Sequence, residues 1–262
     1  MSEFTGKIVY ITGAAGGIGK FLSRAFGEKG AAIGAIDRSE AVIDFADELR
    51  GEGIAASAAV AEISDPDQVS AAIDALRRAL GPAEILVNNA GFSGASNLET
   101  TDDAIWNADI GTNLNGAYHC TSGVLQDMKA AKTGAIVTIG SVNGLNSYGD
   151  PAYSAAKAGL ISYTKALAME YGRFGIRANI ICPGTVRTPI WDNRVEKNPE
   201  IFKNLLKWYP LGRVADPMDI ANAAMFLASD NAAAITGAVL PVDCGLSAGN
   251  IVMSREITLL EF

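Results

Sequence analysis

The sequence predicts an α/β fold in which a parallel, doubly wound, seven-stranded sheet carries helices on both faces. Seven short apolar runs alternate with six longer stretches whose apolar residues recur at helical spacing. Near-continuous apolar strands separated by helices are typical of parallel sheets covered on both faces, and right-handed crossovers make such a sheet doubly wound. No linker, repeat or low-complexity segment interrupts residues 1–262, so we expect a single domain.

The predicted elements alternate along the chain in a regular order. The strands are expected at residues 7–12, 31–37, 53–60, 83–89, 134–140, 176–182 and 238–243. The helices are expected at residues 17–29, 39–51, 66–80, 102–130, 153–173 and 216–229. Each of the first six strands is therefore followed by a helix that can return the chain to the start of the next parallel strand.

Two segments do not fit this alternation. Residues 187–212 form a long stretch just after the sixth strand, and a loop of that length in a compact domain favours a functional lid. The tail at residues 249–262 has apolar residues at positions 251, 252, 257, 259, 260 and 262. Because such residues should not remain in water, we expect the tail to pack on a neighbouring subunit.

Composition excludes several classes of protein and of site. The net charge is −8 and the pI is about 4.7, with no run of more than two Lys or Arg residues, which disfavours nucleic-acid binding. No apolar stretch is long enough for a membrane span, and three scattered cysteines suit a reducing, cytoplasmic compartment. With His119 as the single histidine and no cluster of ligands, a histidine-based triad and a metal site are both disfavoured.

A glycine-rich turn joins the first strand to the first helix. The stretch TGAAGGIG at residues 12–19 lets the backbone turn tightly, and the helix that follows points its N–H groups at an anion. Asp37 ends the second strand at about the spacing expected for the carboxylate that binds the adenosine ribose of a dinucleotide. A carboxylate there repels the 2′-phosphate of NADP and so favours NAD, although Arg38 beside it could accept that phosphate.

A tyrosine and a lysine lie four residues apart in GDPAYSAAKAG, residues 149–159. This spacing puts Tyr153 and Lys157 on one face of a helix, one turn apart. A phenol with a reference pKa near ~10 is a poor base at neutral pH, and a cation one turn away would lower that pKa. The pair is therefore a candidate acid/base centre.

Six motifs together resemble the short-chain dehydrogenase/reductase family over about residues 5–248. They are TGAAGGIG at 12–19, NNAG at 88–91, Asn113, Ser141, YSAAK at 153–157 and PGTVRT at 183–188. The resemblance implies a Rossmann fold and hydride transfer between a nicotinamide cofactor and a secondary alcohol or carbonyl. It also implies a homotetramer.

The resemblance assigns roles to the catalytic side chains. Tyr153 is implied to be the acid/base, and Ser141 to donate to the substrate oxygen and stabilise the charge that develops there. Lys157 would lower the pKa of the phenol and hold the nicotinamide ribose. Asn113 would hold a water in a proton relay, with its neighbour Asn115 as the alternative.

The implied cofactor contacts come from the glycine turn, the strand ends and two catalytic side chains. They are Gly13, Gly17, Ile18, Gly19, Asp37, Glu62, Ile63, Asn89, Ala90, Gly91, Tyr153, Lys157, Pro183, Gly184, Val186 and Thr188. The family usually has an aspartate that contacts adenine where this sequence has Glu62. Whether Glu62 makes the same contact is left open by the resemblance.

The predicted substrate contacts are Ser141, Asn143, Tyr153, Trp191 and Arg194. Trp191 would cap the substrate, and Arg194 would bind a hydroxyl, carboxylate or sulfonate unless it is only a solvated charge. This mixture favours a sugar, a polyol or a hydroxy acid. Two other interpretations stay open: an NADP-dependent 3-oxoacyl reductase, and a dinucleotide-binding sensor without catalysis.

Overall fold

The computed structural model describes residues 3–260, and its centre is one parallel sheet. The strands are β1 (Ile8–Thr12), β2 (Ala32–Asp37), β3 (Ala56–Val60), β4 (Ile85–Asn88), β5 (Gly134–Ile139), β6 (Ile176–Pro183) and β7 (Val239–Val242). Their order across the sheet is β3-β2-β1-β4-β5-β6-β7, and every neighbouring pair is parallel. The predicted seven-stranded, doubly wound sheet is confirmed.

Each predicted helix region is helical in the structure. The helices are α1 (Gly17–Glu28), α2 (Ala41–Gly51), α3 (Pro66–Leu80), α4 (Asp103–Ile110), α5 (Gly116–Ala131), α6 (Pro151–Tyr171), α7 (Asp192–Lys197), α8 (Ile201–Leu205), α9 (Pro217–Ala228) and α10 (Ile251–Thr258). Among them α7, α8 and α10 are three further short helices, which lie in the lid and the tail. Local signals set several ends: Asp65 accepts hydrogen bonds from the N–H groups of Asp67 and Gln68 where α3 begins. A proline occupies the first position of α3, where its missing N–H costs nothing.

Alternate residues of each strand pack on opposite faces of the sheet. Val9 and Ile11 of β1 belong to the buried cluster that contains Phe26 of α1. Tyr10, between them, belongs to the cluster on the other face, together with Leu76 of α3. Because both faces are covered, only the ends of the strands are available to bind a ligand.

The sequence predicts one helix over residues 102–130, and the structure corrects this. The helix is interrupted by a π-helical turn at Gly111–Asn115, between α4 and α5. The apolar spacing does not reveal this turn because a single wide turn changes the helical period over only a few residues. Asn113 lies in the π turn and is 1% exposed, so the turn directs this amide into the protein.

The predicted lid, residues 187–212, folds into α7 and α8 with short 3₁₀ turns around them. Its base is closed by backbone hydrogen bonds: the N–H of Arg187 donates to the carbonyl of Ala215 at 3.0 Å, and the N–H of Ala215 donates to the carbonyl of Thr185 at 3.1 Å. These bonds tie the start of the segment to Ala215, three residues after its end, and this closed base suits a lid. The tail forms α10, which contacts residues 206–208 of the lid, and Phe262 lies outside the described residues.

Candidate active site

The carboxyl ends of the strands open into a cavity of about 1600 Å³. Ligands bind at this edge of a doubly wound sheet because the strand order reverses there, here between β1 and β4. All the predicted site residues line the cavity except Gly19 and Asn113. The structure therefore brings together at one site residues that are more than 150 positions apart in the sequence.

The glycine turn forms one wall of this cavity. Gly13 has φ +64°, a left-handed conformation that favours glycine, and a side chain on Gly17 would lie 2.8 Å from the Cβ of Thr188. Gly19 is buried behind the turn, where a Cβ would overlap the carbonyl oxygen of Gly13. Its lack of a side chain thus lets α1 pack against the turn, and Gly19 does not line the cavity.

The start of α1 suits an anionic group. Gly16, at the N-cap, provides no capping side chain, and the first turn carries no acidic residue. The positive end of the helix dipole and the first N–H groups therefore face the cavity without a competing carboxylate from this turn. A pyrophosphate fits this position.

Asp37 lies at the end of β2, where the sequence predicts a ribose-binding carboxylate. One carboxylate oxygen accepts from the N–H of Ala15 at 3.1 Å and the other from the N–H of Ser39 at 3.0 Å. These two bonds fix the carboxylate at the cavity wall and leave lone pairs for hydroxyl donors.

Arg38, beside Asp37, is engaged by the protein itself. Its guanidinium lies 3.9 Å from the carboxylate of Glu62 and 5.7 Å from the ring centroid of Phe92. Both partners also line the cavity. Glu62 therefore competes with any phosphate for this arginine.

The candidate catalytic side chains come from β5 and α6. Ser141 directly follows β5, and its hydroxyl accepts from the N–H of Asn143 at 3.1 Å. Tyr153 and Lys157 lie one turn apart on α6, with the lysine Nζ 5.3 Å from the centroid of the tyrosine ring. The Nζ also donates to the carbonyl of Ile139 at 2.9 Å, which anchors the buried ammonium at the end of β5.

Burial is the main cause of the pKa shifts of both Tyr153 and Lys157. Burial, only partly offset by a hydrogen bond from Ser141, raises the pKa of Tyr153 to about 12. Burial also lowers the pKa of Lys157 to about 8. The shift of Tyr153 is opposite to the lowering that its spacing from Lys157 predicts, because the loss of hydration on burial outweighs the hydrogen bond from Ser141.

Asn113 faces the same centre from the π turn. Its amide nitrogen donates to the carbonyls of Phe92 at 2.8 Å and Asp109 at 2.9 Å, whereas its buried Oδ1 accepts no hydrogen bond from the described residues. A Cβ placed on Gly91 would be 2.6 Å from that Oδ1 and 3.3 Å from the Nζ of Lys157. The unsatisfied acceptor and the ammonium thus flank one glycine, and this arrangement suits a bridging water.

The alternative to Asn113 does not share this position. Asn115 is exposed and does not line the cavity. Asn113 is therefore the better candidate for the relay, because its Oδ1 lies against Gly91.

Asn143 lines the cavity, but its polar atoms bind the protein. Its amide nitrogen donates to the carbonyl of Gly149 and to the hydroxyl of Ser154, both at 3.1 Å, and its Oδ1 accepts from Ser141 at 3.3 Å. This geometry makes Asn143 a positioning residue for Ser141 and for the start of α6. The predicted substrate contact of Asn143 is therefore supported only by its location on the cavity wall.

The lid supplies the remaining predicted contacts. Trp191 lines the cavity and packs on Phe202, with ring centroids 5.6 Å apart. The guanidinium of Arg194 lies 4.8 Å from the centroid of Trp191 and also lines the cavity. Both residues are therefore within the same cavity as Tyr153.

Several cavity residues were not predicted from the sequence. They are Gly16, Arg38, Ala61, Phe92, Ser93, Gly94, Ala95, Ser96, Thr112, Ile139, Gly140, Val142, Asn146, Tyr148, Asp150, Thr185, Pro189, Ile190, Asn193, Lys197, Leu205, Trp208, Tyr209, Leu246, Ser247, Gly249 and Asn250. Residues 92–96 directly follow the NNAG motif at the end of β4, so the sequence contained a signal that could have predicted their position in the site. Those of residues 246–250 reach the cavity only through the return of the chain after β7, which no local pattern indicates.

Other kinds of site find no support in the part of the chain that the structure describes. His119 packs beside Tyr118, and its Nδ1 lies 3.0 Å from the carbonyl of Ile63, which is a structural contact. Among residues 3–260, no group of three or more His, Cys, Asp or Glu side chains is arranged to hold a metal ion. Within the same residues no helix combines the length and apolar character needed to cross a membrane.

Comparison with known proteins agrees with this geometry. A family model described as enoyl-(acyl carrier protein) reductase matches residues 13–247. An oxidoreductase of the short chain dehydrogenase/reductase family from Burkholderia thailandensis is 50% identical, with a TM-score of 0.92 and 98% of each chain covered.

Two further solved structures carry different cofactors. A gluconate 5-dehydrogenase from Burkholderia cenocepacia J2315, in complex with NADP and tartrate, is 33% identical (TM-score 0.89; 95% of this chain and 98% of that one). A 3-oxoacyl-[acyl-carrier protein] reductase from Brucella melitensis, with bound NAD, is 31% identical (TM-score 0.86; 94% and 92%). With the parallel sheet, the glycine turn and the Ser–Tyr–Lys group in one cavity, these matches show that the chain belongs to the short-chain dehydrogenase/reductase family.

Proposed function

We propose that this oxidoreductase transfers a hydride between NAD and a secondary alcohol or carbonyl of a small polar substrate. The observation that carries the proposal is the meeting of Ser141, Tyr153 and Lys157 at one cavity wall, with Asn113 behind it. A protein that only bound a dinucleotide could use Lys157 to hold a ribose, but it would need neither the hydroxyl of Ser141 nor an acid/base such as Tyr153. We therefore rank a non-catalytic sensor below an enzyme.

The chemistry divides between a bound cofactor and the protein. A nicotinamide ring, when bound, supplies or accepts the hydride. Tyr153 takes the hydroxyl proton of an alcohol on its phenolate oxygen during oxidation and returns a proton to the carbonyl oxygen during reduction. The hydroxyl of Ser141 donates to that same substrate oxygen and stabilises its developing negative charge.

Lys157 connects the phenol to the interior. Its buried ammonium favours the phenolate form of Tyr153 and has donors left for a ribose hydroxyl after binding the carbonyl of Ile139. The unsatisfied Oδ1 of Asn113 can hold a water near the Nζ of Lys157. Such a water would extend a proton relay from Lys157 toward Asn113.

Two carboxylates support NAD in preference to NADP. Asp37 is fixed at the cavity wall, where its charge repels a 2′-phosphate. Glu62 lies 3.9 Å from Arg38, the cation that follows Asp37 in the chain and could favour that phosphate. The related structures include both NAD and NADP complexes, so the preference rests on these residues.

An NADP-dependent 3-oxoacyl reductase is the second candidate. The NAD-bound 3-oxoacyl reductase among the related structures supports that substrate class. Against it, the lid places the cations Arg194 and Lys197 on the cavity wall beside its apolar residues Ile190 and Leu205, and serine and asparagine side chains line other parts. The cations and the hydrogen-bonding side chains favour a small polar substrate such as a sugar, a polyol or a hydroxy acid.

A substrate panel tests the proposed function directly. The protein is incubated with NAD or NADP and a series of sugars, polyols, hydroxy acids and 3-hydroxyacyl thioesters, and the absorbance of the reduced cofactor is followed. We expect the highest kcat/KM with NAD and a small polar alcohol, with NAD favoured about tenfold or more because Asp37 repels the 2′-phosphate. Preference for NADP with a thioester would select the second candidate, and reduction of neither cofactor by any alcohol would favour the sensor.

We also propose that the chain forms a homotetramer in the cytoplasm and that its tail packs on a neighbouring subunit. Ile257, Leu259 and Leu260 are 67%, 88% and 62% exposed, which leaves an apolar surface at the end of α10. The three described cysteines are free and buried, which suits a reducing compartment.

Sedimentation of tail variants tests this assembly. A chain ending after Gly249, and the full chain with Ile257→Gln, Leu259→Gln and Leu260→Gln, are both expected to show a lower mass than the wild type because they lose the apolar contact. Leu98→Gln is the matched control, since Leu98 is 75% exposed but lies outside the tail. An unchanged mass in both tail variants would contradict the proposed packing.

A further inference from the structure

The charges of α7 are sorted by the face of the helix on which they lie. Four of its six residues are charged: Asp192, Arg194, Glu196 and Lys197. The two cations line the active-site cavity, whereas the two carboxylates do not. Residues three or four apart share a helix face, so this sequence presents a cationic face to the cavity and an acidic face away from it.

Neither cation of this face is neutralised by the protein. No carboxylate within residues 3–260 lies within 4.0 Å of the side-chain nitrogens of Arg194 or Lys197. The next lid cation, Lys203, shows the contrast: it pairs with Glu200 at 2.8 Å and does not line the cavity. The remaining lid cations do not line the cavity either, because Arg187 lies over the ring of Phe202 and Lys207 over the ring of Trp208. Among the described lid cations, Arg194 and Lys197 are therefore the two that line the cavity.

Packing holds the arginine at the cavity wall. The guanidinium of Arg194 lies 4.8 Å from the centroid of the Trp191 ring, a distance typical of a cation–π contact. Trp191 is supported from behind by Phe202. A stacked guanidinium keeps its N–H edge available, and that edge can bind an oxyanion through two parallel hydrogen bonds.

The other charges of the cavity are distributed differently. Asp37 and Glu62 line the part of the cavity assigned to the adenosine, where Asp37 accepts hydrogen bonds from two backbone N–H groups and Glu62 from one. Asp150 lines the cavity three residues before Tyr153, on the α6 side. The cationic contribution of the lid is thus confined to the face made by Arg194 and Lys197.

We propose that Arg194 and Lys197 form a binding site for an anionic group of the substrate, a carboxylate or a sulfonate, away from the carbon that exchanges hydride. This inference rests on the proposed dehydrogenase function and narrows its substrate class to hydroxy acids or their keto forms. Arg194 binds two oxygens of the anion through its planar edge, and Lys197 adds a point charge one turn further along α7. The lid thereby selects the substrate and orients it toward Tyr153 and Ser141.

Matched pairs of substrates test this site. Hydroxy acids of increasing chain length are compared with their methyl esters, and hydroxy sulfonates of the same lengths form a second series. We expect at least one acid to exceed its ester in kcat/KM by about tenfold or more, since hydrogen bonds to charged groups are the strong ones. In Arg194→Gln and Lys197→Gln the ratio of acid to ester should fall about tenfold, mainly through KM.

Control variants come from the same lid. Glu196→Gln removes a charge from the other face of α7, and Lys203→Gln removes a cation that does not line the cavity; both should keep the wild-type ratio of acid to ester. The Kd for NAD is measured for every variant as well. If Arg194→Gln and Lys197→Gln weaken NAD binding by the same factor as they lower kcat/KM for the acids, the cations bind the cofactor and the proposal is overturned.

The test separates failure of this site from failure of the proposed function. If esters and acids are oxidised equally well and the two variants keep that ratio, the enzyme is a dehydrogenase and the anion site is wrong. If the wild type oxidises no alcohol, calorimetry with succinate and with ethanesulfonate decides the site alone. Binding that is lost in both Arg194→Gln and Lys197→Gln supports it, and absence of binding to the wild type overturns it.

Discussion

Replacing Tyr153 with phenylalanine is expected to lower kcat/KM for alcohol oxidation by about 10³-fold, because proton transfer by a positioned side chain contributes on the order of 10²- to 10⁴-fold. The substitution removes one oxygen atom and leaves the ring that packs near Lys157. The Kd for NAD and the melting temperature should change little. The measurement is the initial rate of cofactor reduction with the best alcohol of the panel.

Tyr163→Phe is the matched control for this variant. Tyr163 lies on the same helix, α6, but does not line the cavity, so the same loss of a hydroxyl should change kcat/KM less than about threefold. Full activity in Tyr153→Phe would remove the basis of the proposed mechanism.

The pH dependence of the same reaction has a predictable sign. The protein's groups hold the pKa of Tyr153 at about 12 and that of Lys157 at about 8, so at pH 7 the phenol is protonated and the lysine is charged. Reduction needs the protonated phenol, whereas oxidation needs the phenolate. Oxidation should therefore rise with pH by up to about tenfold per unit between pH 6 and 8, while reduction stays nearly level.

Above about pH 8 the oxidation rate should rise less steeply, because Lys157 loses the charge that favours the phenolate. Tyr163→Phe should follow the wild-type profile. Oxidation that does not change between pH 6 and 9 would show that proton removal by Tyr153 does not limit the reaction.

The second large effect is expected at Asp37, in the choice of cofactor. Asp37→Asn keeps the size of the side chain and one acceptor for the backbone N–H groups, but it removes the charge. Removing a like charge beside a phosphate is expected to raise kcat/KM for NADP about tenfold, and loss of an anionic partner for ribose hydroxyls should lower it for NAD about tenfold. The ratio of the two values would then change about a hundredfold.

Glu62 provides an independent test of the same preference. In Asp37→Asn with Glu62→Gln, Arg38 loses its carboxylate partner at 3.9 Å and becomes free to bind the 2′-phosphate, so NADP should be used still better. Adding Arg38→Gln to that double variant should remove the further gain. A wild type that already prefers NADP, or an unchanged ratio in Asp37→Asn, would contradict the role given to these carboxylates.

Much of the fold and part of the site can be predicted because their signals are local. The strand and helix pattern follows from apolar spacing, and the glycine turn, Asp37 and the Tyr153–Lys157 pair are each defined by residues close together in sequence. Their meeting at one edge of the sheet also follows, because parallel strands all end at the same side. These features can be predicted without knowing which side chains pack against them.

Other features depended on contacts between distant parts of the chain. The sequence does not show that a π turn directs Asn113 toward Gly91, or that the side chain of Asn143 is occupied by Gly149, Ser154 and Ser141. It also does not show that the tail returns to line the cavity with Asn250.

The sequence by itself determined the family and the sheet and predicted the candidate acid/base pair, since these follow from residue type and spacing. Only the tertiary structure decided the direction of the pKa shift of Tyr153, the pairing of Arg38 with Glu62 and the sorting of charges on α7. The physical reason is that hydration and electrostatic pairing depend on which groups surround a side chain in space. Those neighbours come from strands and helices far away along the chain.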